Sequence, residues 1–218
     1  MDVQSFIAAL PALLAENGQH VAFRQVINNI GGMTSPIIMS LLNAGVKHLT
    51  PGEIYCEVGC LHGCTLIGAL LGNDARAVAV DNFSQFCDNP GAAKRLLLSN
   101  LDQYHLSSQV SFFDQDFHVF FKGATPEIVP SVGVYFYDGD HSQGEQLAGL
   151  EAALPLLAND ALIFCDDIAM ESVSRAVNLF VGNQFCFLKP VFCMTVVKNG
   201  DPLYWDGIAV WHFHRELR

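Results

Sequence analysis

The chain has 218 residues, enough to bury a sizeable core in one domain, and 51% of them are hydrophobic against 15% charged, which excludes a disordered chain. Its 22 acidic and 11 basic side chains give a formal charge of −11 with no lysine or arginine run, so a nucleic-acid-binding surface is excluded. The longest apolar runs, such as AALPALLA, fall short of the roughly 20 residues of a membrane span, and the opening MDVQ lacks the basic flank of a signal peptide. A soluble, cytoplasmic protein without a membrane partner is expected, its seven cysteines mostly small reduced core residues rather than a disulfide framework.

Residues 1–50 read as helical through SFIAALPALLA, HVAFRQVINNI and SPIIMSLLNAGV, with Ser35 placed to cap the third helix and Pro36 at its first position. From Pro51 onward short apolar strands alternate with helices. Strands are expected at residues 53–58, 76–80, 109–113, 132–137 and 161–165. The intervening TLIGALLG, GAAKRLLLSNLDQYHL and SVSRAVNLFVG read as helices, and Leu147, Leu150, Leu154 and Leu157 fall on one helical face that Pro155 should kink or restart. After Asn183 the rhythm changes: FCFLKPVFCMTVV, NGDP and GIAVWHF read as two strands joined by a turn. The expected fold is α/β: a doubly wound, mostly parallel, seven-stranded Rossmann-like sheet with a C-terminal antiparallel hairpin and an N-terminal helical cap. One domain spans 1–218, divided into the cap (1–50), a cofactor-binding core (51–183) and the terminal hairpin (184–218). The exposed hairpin edge would admit a homodimer.

In open parallel sheets ligands bind beyond the carboxyl ends of the strands. Every expected strand end here carries a carboxylate: Glu57, then Asp81-Asn82, Asp114 to Asp116, Asp138 to Asp140, and Asp166-Asp167. Carboxylates are costly inside a sheet unless paired or used, so acids at all five ends point to a site. At the first end, YCEVGCLHGCT spaces Glu57, Gly59, Gly63 and Thr65 differently from a dinucleotide fingerprint, and a carboxylate there would repel a diphosphate but suit a cationic amino group. Gly59 and Gly63 allow a sharp turn and close ligand approach, and Thr65 can hydrogen-bond at the following helix start. Cys56, Cys60 and Cys64 do not converge in a strand and turn and have no second ligand cluster, so a zinc or iron–sulfur site is disfavoured. Asp81, 24 residues after Glu57, can accept from two ribose hydroxyls, and amino group plus ribose describes S-adenosylmethionine better than NAD.

Through EVGCLHGCT, AVAVDNF and YDGDHSQGEQLAGLEAALPLLANDALIFCDDI the sequence resembles the class I S-adenosylmethionine-dependent methyltransferases, in their small-molecule O-methyltransferase branch. The resemblance implies that Glu57, Gly59 and Gly63 line the methionine end, that Asp81 with Asn82 holds the ribose, and that Asp116 and Phe117 meet the adenine, with Asp114 competing for the place of Asp116. In catechol-type members an Asp after the fourth strand and an Asp-Asn pair after the fifth hold Mg²⁺. The matching residues are Asp138, Asp166 and Asp167, a hard-oxygen set for Mg²⁺ or a similar divalent cation, with Asp167 departing from the usual Asn. Where that family carries a lysine base this chain has His141, a competent general base at neutral pH. The implied reaction is metal-assisted methylation of a small-molecule hydroxyl. Asp140 in place of Asp138, helix capping by Asp166-Asp167 or by His141, metal-free catalysis by His141, and a catalytically silent S-adenosylmethionine-binding protein stay open. His212 and His214 share a strand face, but the sequence offers no evident third ligand.

Overall fold

The computed structural model describes residues 1–15, 20–86, 88–124, 129, 131–184, 186–197 and 200–215. Three helices come first: α1 (Val3–Ala15), α2 (Val21–Ile30) and α3 (Pro36–Lys47). Five strands follow with helices between them: β1 (Ile54–Val58), α4 (Cys64–Leu70), β2 (Ala77–Asp81), α5 (Pro90–Gln103), β3 (Val110–Asp114), α6 (Phe117–Gly123), β4 (Val132–Tyr137), α7 (Gln143–Ala153) and β5 (Leu157–Asp166). The chain ends with α8 (Glu171–Asn183), β6 (Leu188–Met194) and β7 (Ile208–His214). Among the described residues no helix is long and apolar enough to cross a membrane.

The seven strands form one sheet in the order β3-β2-β1-β4-β5-β7-β6, with β7 antiparallel to both β5 and β6 and the other pairings parallel. β1 and β4 are fully buried, as a parallel sheet covered on both faces requires. Alternation along each strand sends Tyr55, Val134, Phe136, Leu162 and Phe164 into the layer built by α1 to α5. Cys56, Val58, Tyr135, Tyr137, Ile163 and Cys165 face the layer of α6 to α8. The N-terminal helices thus cover one face of the sheet, with Ile37, Ile38, Leu41 and Leu42 wholly buried.

The doubly wound sheet with its antiparallel C-terminal pair matches the expected class. Two local expectations change. Leu154 and Leu157 do not continue the α7 face: the helix stops at Ala153, residues Leu154–Leu156 form a single 3₁₀ turn around Pro155, and β5 starts at Leu157. Pro155 lacks the amide an α-helix needs, so the chain leaves the helix one turn early and the fifth strand is longer than expected. The short helix α6 was not anticipated; its seven residues are too few for a periodic signal.

Strand order reverses around β1, between β2 and β4, which opens a crevice beyond the strand ends at that point. The N-terminal layer is tied to this crevice through Ser35. Its Oγ caps α3 by accepting from the Ile38 amide at 3.3 Å and donates to the Leu203 carbonyl in the β6–β7 connection. Replacing Ser35 by Ala removes both bonds and should cost roughly 1–2 kcal/mol, read as a lower urea midpoint with an unchanged m-value.

Candidate functional site

The turn after β1 explains the glycines. Gly59 has φ 86°, and a Cβ there would lie 1.9 Å from the Asp138 carbonyl oxygen, so no larger residue fits between the ends of β1 and β4. Gly63 has φ 85° and precedes α4, with no side-chain cap. Beneath this turn Glu57 is wholly buried, accepting from Thr65 Oγ1 at 2.7 Å and from the Tyr55 hydroxyl at 2.5 Å. Glu57, expected at the methionine end, is instead absent from the cavity wall, and its hydrogen bond to Thr65 connects it to that wall. Burial raises its pKa from 4.5 to about 7, against the lowering effect of the Tyr55 and Thr65 hydrogen bonds, with the Asp81 charge adding to the rise.

Above the turn lies a cavity of about 480 Å³, within the range of small-molecule sites. Gly59, Thr65, Asp81, Asn82, Asp116, Phe117, Asp138, His141 and Asp167 all reach it. Asp81, last residue of β2, accepts from the Leu61 amide and the Phe83 amide, each at 2.7 Å, which fixes its carboxylate at the wall. Its pKa is raised by burial, against those backbone bonds. Asn82 Nδ2 donates to Asp116 Oδ2 at 3.4 Å, and Asp116 caps α6 by accepting from the His118 amide at 2.8 Å. Asp114 instead pairs with Lys94 at 2.9 Å and is absent from the cavity wall, so of the two acids of FFDQDF Asp116 is the one that reaches the cavity. Phe117 packs edge-on against Tyr137. Phe83 is a core anchor against Phe112, Phe86 is exposed at the cavity mouth, and Cys87 lies outside the described residues.

The acids of β4 and β5 converge from the other side. The two strands run parallel with Tyr137 opposite Cys165, so the residues that follow are forced together. His141 Nε2 lies 3.5 Å from Asp138 Oδ1 and 3.2 Å from Asp167 Oδ2, and these three side chains form a group able to hold a metal ion. Burial raises the pKa of Asp138, and the Asp167, Glu57 and Asp81 charges raise it further. Burial likewise raises Asp166 and Asp167. Asp166 does not join the expected metal set. Strand alternation turns it to the face of Leu162 and Phe164, where it is 2% exposed, whereas Asp167, at φ 52°, leaves the strand direction and reaches the cavity.

Asp166-Asp167 do not cap α8, whose cap position is Met170, and α7 is capped by Ser142 rather than His141. Asp140 binds the Ser142 amide at 2.7 Å and the Gln85 amide group at 2.5 Å, bridging two loops at the rim. Cys56 packs in the sheet core, while Cys60 and Cys64 are buried at the cavity wall; burial pushes the Cys64 thiol up to about 12.

Residues from Gly31 to Thr34, Gln85, Glu145 and Asp206 also line the cavity and were not singled out from the sequence, whereas Trp205, which the sequence left open as core, interface or acceptor-pocket wall, does reach the cavity wall. Leu61, Phe86, Asp167 and Trp205 all line it with φ between 42° and 56°, a strained backbone that clusters at functional sites. Among the described residues none that lines the cavity is Lys or Arg.

The Glu57 assignment is testable through pH. Its native pKa of about 7 lies above the usual 4.5, so the native state binds the extra proton and stability falls as pH rises from 4.5 through 7. Glu57→Gln, which keeps an acceptor without the charge, should match wild type near pH 5 and be more stable than it near pH 8, by roughly 3 kcal/mol at most, in urea unfolding at both pH values.

A search of the curated protein sequences gave no match. Solved structures share the fold at low identity. An O-methyltransferase from Bacillus cereus in complex with SAH superposes with a TM-score of 0.65 at 15% identity, covering 94% of this chain and 90% of its own. The O-methyltransferase TomG from Streptomyces achromogenes, involved in tomaymycin synthesis and solved with SAM, gives 0.65 at 12% identity over 93% of this chain and 89% of its own. The sequence profile of the methyltransferase domain family matches residues 56–168, from Cys56 in β1 to Ile168 beyond β5, more than half of the chain. The chain therefore belongs to the methyltransferase domain family.

Proposed function

We propose that this protein methylates a hydroxyl of a small molecule, with His141 as the proton acceptor and a divalent cation held by Asp138 and Asp167. The observation that carries the proposal is the position of His141 Nε2 between the Asp138 and Asp167 carboxylates on the wall of a cofactor-sized cavity. The O-methyltransferases from Bacillus cereus and Streptomyces achromogenes that share this fold support the same reaction class.

The residues fit a bound S-adenosylmethionine. Asp81 presents a fixed carboxylate for ribose hydroxyls, Phe117 offers a ring for the adenine, and the Gly59 turn lets the backbone approach the methionine end. A cavity with acids and no lysine or arginine repels the diphosphate of NAD and suits a sulfonium cation. The same charge disfavours an anionic acceptor, so the substrate is neutral or cationic.

They also fit a divalent cation. Asp167 Oδ1 is buried without a hydrogen-bond partner, and the imidazoles of His62 and His141 are the only basic side chains among the described residues lining the cavity. When bound, such a cation acidifies and orients the acceptor hydroxyl. His141 takes the hydroxyl proton at Nε2, and Asp138 and Asp167 stabilise the resulting imidazolium. Trp205, Met170 and the Gly31–Thr34 connection wall the cavity and hold the acceptor against the methyl group.

A second reading rests on the same contacts: His141 already pairs with both carboxylates, an arrangement that can work as a base without metal. Chelation separates the two. Metal-stripped protein should lose methyl transfer to a panel of small hydroxyl compounds and regain it with Mg²⁺ or Mn²⁺, and full activity in EDTA would leave the metal-free reading. His141→Gln should lower kcat by roughly 100-fold or more while leaving S-adenosylhomocysteine affinity unchanged, since the residue faces the acceptor.

A further inference from the structure

At the opposite end of β5 from the catalytic cluster, a second group of ligating side chains stands on the sheet. β7 places His212 and His214 two residues apart, hence on one face. In the antiparallel pairing of β5 with β7, Asp160 lies directly opposite His214 and one step diagonal to His212. The Asp160 Oδ1 atom is 2.7 Å from His212 Nε2 and 2.9 Å from His214 Nδ1. The two rings have centroids 5.9 Å apart, and one ligand atom from each residue falls within 4.8 Å of the other two. The third ligand missing from the sequence of β7 is therefore supplied across the sheet by β5.

We infer that Asp160, His212 and His214 form a binding site for a divalent transition metal of the zinc class, separate from the methyl-transfer site. Two imidazoles and a carboxylate are the donor set that zinc and its neighbours prefer, with water completing a tetrahedron, whereas Mg²⁺ prefers an all-oxygen shell. The separation of donor atoms is close to that of ligands on one small cation, so the side chains need shift only slightly to close on it. The site is accessible yet partly sheltered: the His212 side chain is 12% exposed, while Asp160 and His214 are 41% and 47% exposed. Lys189, the register partner of His212 on β6, is exposed and makes no ion pair with Asp160 among the described residues.

Six residues separate Asp160 from Asp166, so the site lies on the order of 20 Å from the cavity acids. Its consequence is structural. A cation there cross-links β5 to β7, holding the terminal antiparallel strand on the parallel sheet, and through it the connection that brings Trp205 and Asp206 to the cavity.

The test uses Co²⁺ and Zn²⁺ on the metal-stripped full chain, compared with His214→Ala and with Asp138→Asn/Asp167→Asn. Wild type and the Asp138/Asp167 variant should both show intense visible bands of low-coordinate Co²⁺ and both gain melting temperature with Zn²⁺. His214→Ala should lose the bands, lose the Zn²⁺-dependent shift, and bind Zn²⁺ more weakly by over the about 10–100-fold that even an outer-shell partner is worth. His214 is half exposed, and a far-ultraviolet circular dichroism spectrum like that of wild type checks its fold; Asp160→Asn gives an independent removal of the third ligand. Retention of the bands and the affinity in both His214→Ala and Asp160→Asn, or Zn²⁺ that shifts no melting temperature in the Asp138/Asp167 variant, overturns the site and leaves Asp160 as a hydrogen-bond acceptor only.

Discussion

Parallel pairing of β4 with β5 forces acidic side chains together, and the rest of the site is arranged around that crowding. Tyr137 opposes Cys165, so Asp138 and the Asp166-Asp167 pair emerge side by side at the strand ends. Burial raises all three carboxyls, and nearby carboxylates add to the rise: Asp167 at Asp138, Asp138 and Asp167 at Asp166, and Asp206 at Asp167. Asp81 adds a further carboxylate across the same cavity, and among the described residues His141 is the basic side chain within ion-pair distance of Asp138 and Asp167. A site built this way is stable when cations occupy it and hostile to phosphates. Both co-reactants proposed for it are cations: a sulfonium and a divalent metal.

The packing beneath the cavity converts this charge into a shaped site. Gly59 sits against the Asp138 carbonyl so tightly that the β1 turn and the β4 end form one surface. Tyr55, Glu57 and Thr65 form a buried chain of hydrogen bonds under that surface and set where α4 begins. Ser35 then joins the N-terminal helical layer to the β6–β7 connection. The terminal hairpin is thus part of the cavity wall through Trp205 and Asp206, and the proposed metal cross-link between β5 and β7 would steady the same element.

Much of this was legible in the sequence, for physical reasons. Continuous apolar strands, glycines needing positive φ at 59 and 63, and an acid at each strand end are local patterns, and they placed the sheet, the turn and the acidic part of the cavity wall. What stayed hidden depends on contacts between distant segments. The inward burial of Glu57 follows from Tyr55 and Thr65 meeting it, and the exclusion of Asp166 from the cluster follows from strand parity at the end of a β5 that begins four residues earlier than its apolar run. Asp160 could not be seen as a partner of His212 and His214 because the pairing is set by an antiparallel register some fifty residues away in sequence. Gly31–Thr34 and Asp206 reach the cavity by tertiary packing alone.

The central claim is that the acid-lined cavity at the strand ends binds the methyl donor. Calorimetry of S-adenosylhomocysteine against wild type, with NAD as the competitor and Asp81→Asn as the variant, tests it most directly. The account predicts binding of S-adenosylhomocysteine, none of NAD, and a loss of roughly 10-fold or more in Asp81→Asn, the worth of a charge-assisted hydrogen bond to the ribose. Binding of NAD without S-adenosylhomocysteine, or full affinity in Asp81→Asn, would contradict it.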